Sequence, residues 1–217
     1  MDQFFLQIFR LPVLKYCKVL LADNQMHYDL PFATDKYSPI EQFIIKHAIS
    51  TEILPRLLSY IPQIRRLSLG NINEYHPAVK IDRPMIFKNL SHLFLKLNHF
   101  SFDAFELLIE KLFSSVQVLR LIIDRGDYIN AKRWEQLITS HIPYLRIFDM
   151  ECNCFYVRSS VVQKSYELQM VEFNKPFWYE HKWFFTSHDY FRYGNHYITF
   201  CSNNPYRYEI WLNIKLI

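Results

Sequence analysis

Cys152 and Cys154 are the residues whose types and spacing first suggest chemistry, because paired thiolates are preferred ligands of zinc. A structural zinc site needs four ligands, and no second pair follows at a suitable spacing. The pair stands at the end of a predicted strand, where Cys154 is expected to pack as a small apolar side chain. The sequence therefore predicts no metal site, and its four cysteines are expected to be reduced thiols.

His181, His188 and Asp189 could form an acid–base cluster towards the C-terminal end. Their spacing matches neither a zincin motif nor a pair of histidines on one helix face. No Gly-x-Ser-x-Gly elbow is present, and three glycines are too few for a glycine-rich phosphate loop. The sequence thus predicts a protein that is not an enzyme and that has no cofactor. The alternative is an enzyme with a doubly wound α/β fold, whose pocket would be assembled from residues distant in sequence.

Length, composition and charge restrict the class of protein. The chain has 217 residues, half of them apolar, which favours a folded globular protein, and its formal net charge is +4. That mild charge falls short of the basic surface that DNA binding requires, so no nucleic-acid partner is expected. The sequence has neither a secretory signal nor an apolar stretch of roughly 18 residues. The protein is therefore expected in the cytoplasm or nucleus and not in a membrane.

One apolar frame recurs six times along the first two thirds of the chain. In NLSHLFLKLN, Asn89 to Asn98, apolar residues occupy positions one, four and six of a frame that starts at Leu90. The other frames start at Leu14, Ile40, Ile64, Val116 and Leu145, so consecutive starts are 24 to 29 residues apart. This regularity predicts a leucine-rich-repeat-like α/β solenoid, with parallel strands and with helices or loops on the outer side. An ordinary doubly wound α/β domain is the alternative, because it also alternates strands and helices.

Defined frame positions are expected to form the core and to connect the rungs. Positions four and six should face inward, as in the pairs Leu67 with Leu69, Leu93 with Leu95, Leu119 with Leu121, and Phe148 with Met150. A leucine-rich repeat also needs an asparagine-like residue three places after the frame, to bond the backbone as it leaves the strand. The last three units have Asn98, Asp124 and Asn153 there, whereas the first three have Ala22, Ala48 and Ile72. The later half is therefore predicted to be the more regular.

Three segments between the frames have helical periodicity. SFDAFELLIEKLF begins with Ser101 as a predicted N-cap, and NAKRWEQLITSHIP begins with Asn130 in the same role. STEILPRLLSYIP is predicted to be a third helix, weakened or kinked by Pro55. The spacers 21–39 and 71–89 contain prolines without helical periodicity, so they are predicted to be loops.

The composition changes at about residue 155, where the frame fades and aromatic residues become more frequent. We predict a solenoid of about six strand units over 1–154 and an aromatic-rich C-terminal cap over 155–217, packed on the last repeat. The segments YELQMVEF, FWYEHKWFF, YITFC and YRYEIWLNI are predicted to be strands or irregular extended chain. The alternative is that these aromatic residues form a ligand-binding or base-stacking surface.

Four stretches, in their order along the chain, resemble the leucine-rich-repeat region of F-box proteins from an expanded, little-characterised invertebrate family. They are SPIEQFIIKHAISTEILPRLLSYIPQIRRLSL, SHLFLKLNHFSFDAFELLIEKLFSSVQVLRLII, NAKRWEQLITSHIPYLRIFDM and NKPFWYEHKWFF, within roughly residues 10 to 190. The resemblance implies that the repeats recruit a target protein while an N-terminal F-box attaches to the adaptor of a ubiquitin ligase. Only MDQFFLQIFR precedes the first frame, which is too short for an F-box and is expected to be the remnant helix of a truncated repeat. A protein partner is therefore expected, whereas the missing F-box argues against attachment to the ligase adaptor.

Positions three, five and seven of each frame should point away from the core and line one shared sheet face. This predicted face has cations on the first five rungs and two acids, Asp149 and Glu151, on the sixth. We hypothesise that part of it binds an acidic or aromatic segment of a partner protein, because arginine and aromatic side chains dominate interface energetics. The candidate binding residues are Arg66, His92, Phe94, Lys96 and Arg120. The alternatives are a solvated face, a face partly covered by the chain's own tail, and a structural remnant that has lost its recruiting function.

Overall fold

The computed structural model describes residues 2–20, 30–34, 37–73, 87–156, 168–192 and 195–203. The strands in this part of the chain are β1 (Tyr16–Val19), β2 (Gln42–Ser50), β3 (Arg66–Asn73), β4 (His92–Asn98), β5 (Val118–Ile123), β6 (Ile147–Tyr156), β7 (Phe185–Arg192) and β8 (Asn195–Ser202). The helices include α1 (Asp2–Phe9), α2 (Ile53–Ser59), α3 (Phe102–Leu112), α4 (Ala131–His141) and α5 (Pro176–Glu180). Short 3-10 turns cover Gly126–Tyr128 and Glu172–Asn174.

The eight described strands join one open, mostly parallel sheet in the order β1-β2-β3-β4-β5-β6-β8-β7. The first six strands run parallel in chain order, and β8 then pairs antiparallel with both β6 and β7. Buried residues of the helices and of the strands belong to one hydrophobic cluster. The predicted α/β class is confirmed, and the six frames lie on six consecutive neighbouring strands.

In the strand register, the equivalent apolar positions of the six frames lie side by side. Position four is aligned from β1 to β6 in the order Cys17, Phe43, Leu67, Leu93, Leu119 and Phe148. Position six is aligned in the order Val19, Ile45, Leu69, Leu95, Leu121 and Met150. All twelve side chains are buried, so the predicted inward pairs are confirmed. Each fully buried side chain of this size contributes about 1.5–3 kcal/mol relative to exposure in water.

One backbone hydrogen bond recurs at every step from one rung to the next. The N–H at position two of a frame donates to the carbonyl at position two of the preceding frame, at N···O distances of 2.8 to 3.0 Å. The five donors are Glu41, Arg65, Ser91, Gln117 and Arg146. The same carbonyls also accept the N–H at position three. The sequence repeat is therefore matched by a repeated backbone geometry.

Two register shifts interrupt the alignment around β3. Between Ile45 and Ala48, β2 has one residue more than β3, and between Leu69 and Ile72, β3 has one residue more than β4. On the bulged strand, Asn71 Oδ1 accepts a hydrogen bond from the side chain of Asn98 at 2.9 Å. The extra residue of β3 also moves the predicted place by one residue: Asn73, and not Ile72, lies beside Asn98 in the register, so the prediction that this unit has no asparagine-like residue there is wrong. The predicted loop over 71–89 is also wrong at its start, since β3 continues to residue 73, and residues 74–86 lie outside the described chain.

Asp124 and Asn153, the other two residues predicted at the asparagine-like place, form different hydrogen bonds. Asp124 Oδ1 accepts a hydrogen bond from the backbone N–H of His99 at 2.8 Å, which is the predicted bond to a chain leaving its strand. Asn153 instead donates to Glu151 at 2.8 Å and accepts from Thr199 at 2.7 Å. The reason is that β6 does not end there but continues and pairs with β8.

Helices α3 and α4 begin at the predicted caps. Ser101 Oγ accepts a hydrogen bond from the backbone N–H of Ala104 at 3.3 Å. Asn130 Oδ1 accepts one from the backbone N–H of Arg133 at 3.1 Å. Each cap satisfies a donor that has no partner within the helix, so the sequence located both helix starts correctly.

The predicted third helix is shorter than its periodicity indicates. Ser50 is the last residue of β2, and α2 covers only Ile53–Ser59. Pro55 does not break this helix, because it is the third helical residue, where an N–H would have no acceptor inside the helix. The helix is therefore shorter than predicted, and Pro55 lies in its first turn.

The described part of the aromatic tail is helical before it becomes extended. Residues 168–171, the turn Glu172–Asn174 and α5 replace the extended chain predicted for YELQMVEF and for the start of FWYEHKWFF. Pro176 at the first position of α5 favours a helix there. The prediction for YITFC is confirmed, since it lies in β8, and YRYEIWLNI lies outside the described residues.

Aromatic side chains of the tail cover the last rung. The ring of Phe148 lies 6.2 Å from Trp178, 5.7 Å from Trp183 and 6.0 Å from Phe185, measured between centroids. Trp178 and Trp183 are buried, and Trp183 Nε1 donates to the carbonyl of Arg146 at 3.3 Å. These rings pack inward in the manner expected of a cap, while the division of the chain at 154/155 stays a prediction.

Candidate functional site

The cysteine pair lies in the second half of β6, with both thiols on the same side of the strand. The two Sγ atoms are 3.0 Å apart, and all four cysteines of the chain are free and buried. The hydrogen bond with Cys154, followed by burial, raises the pKa of the Cys152 thiol. A protonated thiol is a poor nucleophile and a poor metal ligand. In the described residues, no group of three or more His, Cys, Asp or Glu side chains could hold a metal ion.

The predicted acid–base cluster is not assembled into one site. His181 lies in the turn after α5, where its ring stacks on Trp183 at 4.5 Å and its Nδ1 is 2.7 Å from the carbonyl of Phe177. His188 and Asp189 are consecutive exposed residues of β7. Consecutive side chains of a strand point to opposite faces, so these two groups do not share a pocket.

The five candidate partner-binding residues lie on one side of three neighbouring strands. Arg66 is on β3, Arg120 is on β5, and His92, Phe94 and Lys96 are on β4 between them. In the register Arg66 is beside His92, and Phe94 is beside Arg120. Since neighbouring strands are about 4.8 Å apart, the five side chains form one contiguous patch. We call the side of the sheet that carries this patch the open face.

His92 is placed between two arginines of the open face. Burial, followed by the charges of Arg66 and Arg120, lowers the pKa of His92. Its Nδ1 lies 2.9 Å from Ser91 Oγ, and that hydroxyl also donates to the carbonyl of Arg65 at 3.2 Å. The arrangement favours a neutral imidazole and places two positive charges beside it, which a bound anion would stabilise.

Arg120 differs from the other cations of the patch in its surroundings. Its side chain is half-buried, whereas Arg66 and Lys96 are exposed. Burial lowers the pKa of Arg120, and the charge of Asp149 beside it in the register opposes that shift. The guanidinium stays charged in any case. Its buried Nε has no hydrogen-bond partner among the described residues.

Asp149 lies on the predicted face, beside Arg120 in the register, but it is not exposed. The residue is buried beside β8, where the hydroxyl of Ser202 donates to its carboxylate. Ser202 Oγ also accepts the backbone N–H of Met150 at 3.1 Å. Sequence reasoning missed Ser202, since it is 53 residues away in the chain and its contact depends on the antiparallel pairing of β6 with β8.

No family model, no curated protein and no solved structure matches the chain. None of the helices in the described ranges combines the length and the apolar character needed to cross a membrane.

Proposed function

We propose that this protein is a leucine-rich-repeat-like solenoid whose open face binds a partner protein. Six parallel strands in chain order, with aligned apolar positions, support the solenoid. A doubly wound sheet would instead reverse its strand order at a switch point. The observation that carries the binding role is the contiguous patch on β3, β4 and β5, which places two arginines and an aromatic ring on neighbouring rungs. Such residues supply most of the binding energy of protein interfaces.

In this proposal the chain acts in the cytoplasm or nucleus as the target-recruiting part of an F-box-type ubiquitin ligase receptor. The basis is the resemblance of its repeat stretches to the leucine-rich-repeat region of F-box proteins. The role needs no cofactor and no catalytic group. Recruitment to a ligase would make the partner a substrate of the proteasome, which provides a measurable consequence.

Proximity labelling in cells tests the proposal. The test variant carries Arg66→Ala, Phe94→Ala and Arg120→Ala, and the matched control carries Lys132→Ala, Tyr144→Ala and Arg146→Ala. The control also removes two cations and one aromatic ring, but from exposed positions outside the open face. We expect specific partners with the wild type and the control, and their loss with the test variant.

The same labelling with proteasome inhibition tests the link to ubiquitin. Partners that are degraded after recruitment should accumulate under inhibition in the wild type and not in the test variant. An unchanged set of partners in a test variant that unfolds like the wild type in urea would refute the open face as the binding site. A wild type without any specific partner would favour the alternative that the chain is a structural remnant.

A further inference from the structure

Charge is distributed unevenly along the open face. Along the six frames of the open face, the cations lie on β1 to β5 and are Lys18, Lys46, Arg66, Lys96 and Arg120. Its two acids lie on β6, where Asp149 is bonded by Ser202 and Glu151 is bonded by Asn153. An anionic ligand would be attracted to β3, β4 and β5 and repelled at β6. The charge pattern therefore limits where such a ligand can lie.

We propose that the open face binds an acidic peptide segment, with carboxylates held by Arg66 and Arg120 on either side of His92, and that binding brings a proton onto His92. This inference rests on the proposed function, because it names the chemistry of the partner at the same surface. Arg120 lies two strands away from Arg66 and two residues further along the register. Their Cα atoms are therefore about 12 Å apart. An extended peptide advances about 3.4 Å per residue. Carboxylates three or four residues apart would thus reach both guanidinium groups.

The unpartnered Nε of Arg120 favours a carboxylate over an aromatic ligand. A buried N–H without an acceptor is unfavourable in the free protein. A carboxylate pairs with a guanidinium through two parallel hydrogen bonds, and one of these can use the Nε–H. A partner carboxylate that draws the Arg120 side chain outward into such a pair would give its Nε–H an acceptor. An aromatic ring offers no such acceptor oxygen.

His92 couples the binding to pH. Burial disfavours a proton on its ring, and so do the two charged groups that face it, Arg66 from β3 and Arg120 from β5. Its own strand adds the Ser91 hydroxyl, which carries no charge. A carboxylate placed between the two arginines reverses the balance, because a negative charge stabilises the imidazolium. Binding therefore takes up a proton, and affinity should increase as the pH falls through the pKa of His92 in the complex and level off below its lowered pKa in the free protein.

Fluorescence anisotropy with the full chain tests the charge requirement. The probe is a short fluorescein-labelled peptide of alternating glutamate and serine, compared with the same peptide carrying glutamine at every glutamate. We expect only the glutamate peptide to bind. Arg66→Gln and Arg120→Gln should each weaken binding roughly tenfold, as expected from losing one charged hydrogen-bonded pair. Lys132→Gln and Arg146→Gln, at exposed cations outside the open face, should leave the affinity unchanged.

A pH series tests the role of His92. Binding of the glutamate peptide by the wild type should become tighter as the pH is lowered through the histidine range, where glutamate itself is still ionised. His92→Gln should bind with an affinity that no longer depends on pH in that range. If Arg120→Gln fails to fold, Arg120→Lys serves instead, since it keeps the charge and loses the planar fork.

Several outcomes would overturn the inference. They are equal binding of the glutamine peptide, equal weakening in the Lys132 and Arg146 variants, and displacement of the peptide by an oligonucleotide or by phosphatidylserine vesicles at equal charge concentration. An unchanged pH dependence in His92→Gln would overturn the proton uptake. If cellular partners depend on the open face but no acidic peptide binds, the proposed function stands and this inference fails. If the peptide binds but no partner depends on the open face, the proposed function fails.

Discussion

At Gly70 the backbones of β2 and β3 approach each other closely. A Cβ atom at this position would lie 2.6 Å from the Cα of Lys46 and 2.8 Å from its carbonyl carbon. Both are backbone atoms, so no side-chain movement can relieve the contact. The glycine is explained by this close approach at the bulge, and not by an unusual turn.

We predict that Gly70→Ala lowers the free energy of unfolding by about 1–3 kcal/mol, the usual cost of overpacking. Urea unfolding followed by circular dichroism measures this change through its midpoint. Ser68→Ala, two residues earlier on the same strand, is the control and should have a smaller effect. Equal unfolding midpoints for the wild type and Gly70→Ala would contradict the close approach of the two strands.

The hydrogen bond between Asn71 and Asn98 distinguishes the bulged register from the regular one. Without the extra residue of β3, Ile72 would lie beside Asn98; in the structure Asn73 lies there, and Asn71 bonds the side chain of Asn98. A double-mutant cycle with Asn71→Ala and Asn98→Ala should give a coupling of about 0.5–1.5 kcal/mol, the net value of one hydrogen bond. Additive effects of the two substitutions would show that the bond does not stabilise the fold.

At the scale of elements, neighbouring helices are joined by a side chain that the repeat frame does not specify. Arg133 on α4 forms ion pairs with Asp103 and Glu106 on α3, and its guanidinium lies 4.3 Å from the ring centre of Phe102. One planar cation thus contacts two acids and one aromatic ring of the preceding repeat. This contact fixes the packing of α4 on α3.

We predict that Arg133→Ala destabilises the protein by about 1–2 kcal/mol, the sum of exposed ion pairs and one cation–π contact. Arg133→Lys should recover only part of this loss, because lysine lacks the planar fork. The measurement is the urea midpoint at low and at high salt, where added salt should reduce the difference. Lys132→Ala, at the exposed neighbouring residue, is the control, and an equal loss there would contradict the specific role of Arg133.

At the scale of the whole molecule, a buried histidine makes stability depend on pH. His47 on β2 is 4% exposed, and burial lowers its pKa below the ordinary 6.5. The folded state therefore holds a neutral ring, while the unfolded chain takes up a proton as the pH falls below 6.5. Because the unfolded state then binds more protons, the free energy of unfolding must decrease on acidification.

We predict that urea midpoints of the wild type fall when the pH is lowered through this range and that His47→Gln has a flatter profile. His92 contributes in the same direction, since its pKa is also lowered. His92→Gln should therefore flatten the profile further when combined with His47→Gln. His181→Gln, at an exposed residue, is the control. A wild-type profile that does not change below 6.5 would contradict the neutral buried ring.

Much of the fold was predictable because it depends on local patterns. The frame positions of Leu93 and Leu95 identified a strand and its inward face, since side-chain direction alternates along any strand. The caps Ser101 and Asn130 identified two helix starts from side chains that bond the adjacent backbone. The five candidate residues of the open face were named from the same alternation, and the register brings them together on β3, β4 and β5.

Features that depend on contacts between distant segments were not predictable. The bulge that brings Asn73 beside Asn98 arises from how β2, β3 and β4 fit together, and a single frame contains no sign of it. The start of FWYEHKWFF is predicted to be extended, because aromatic residues favour strands. In the structure it belongs to helix α5.

The sequence by itself determined the periodic part of this protein: where the strands recur, which side chains enter the core, and where α3 and α4 begin. These features follow from steric and hydrogen-bonding rules that act within a few residues of one chain. Only the tertiary structure decided that β8 returns antiparallel beside β6, that Ser202 bonds the buried Asp149, and that Arg120 keeps a buried donor without a partner among the described residues. Those outcomes depend on pairing between segments far apart in the chain, and the free energy of such pairing is set by the surfaces that meet rather than by either segment alone.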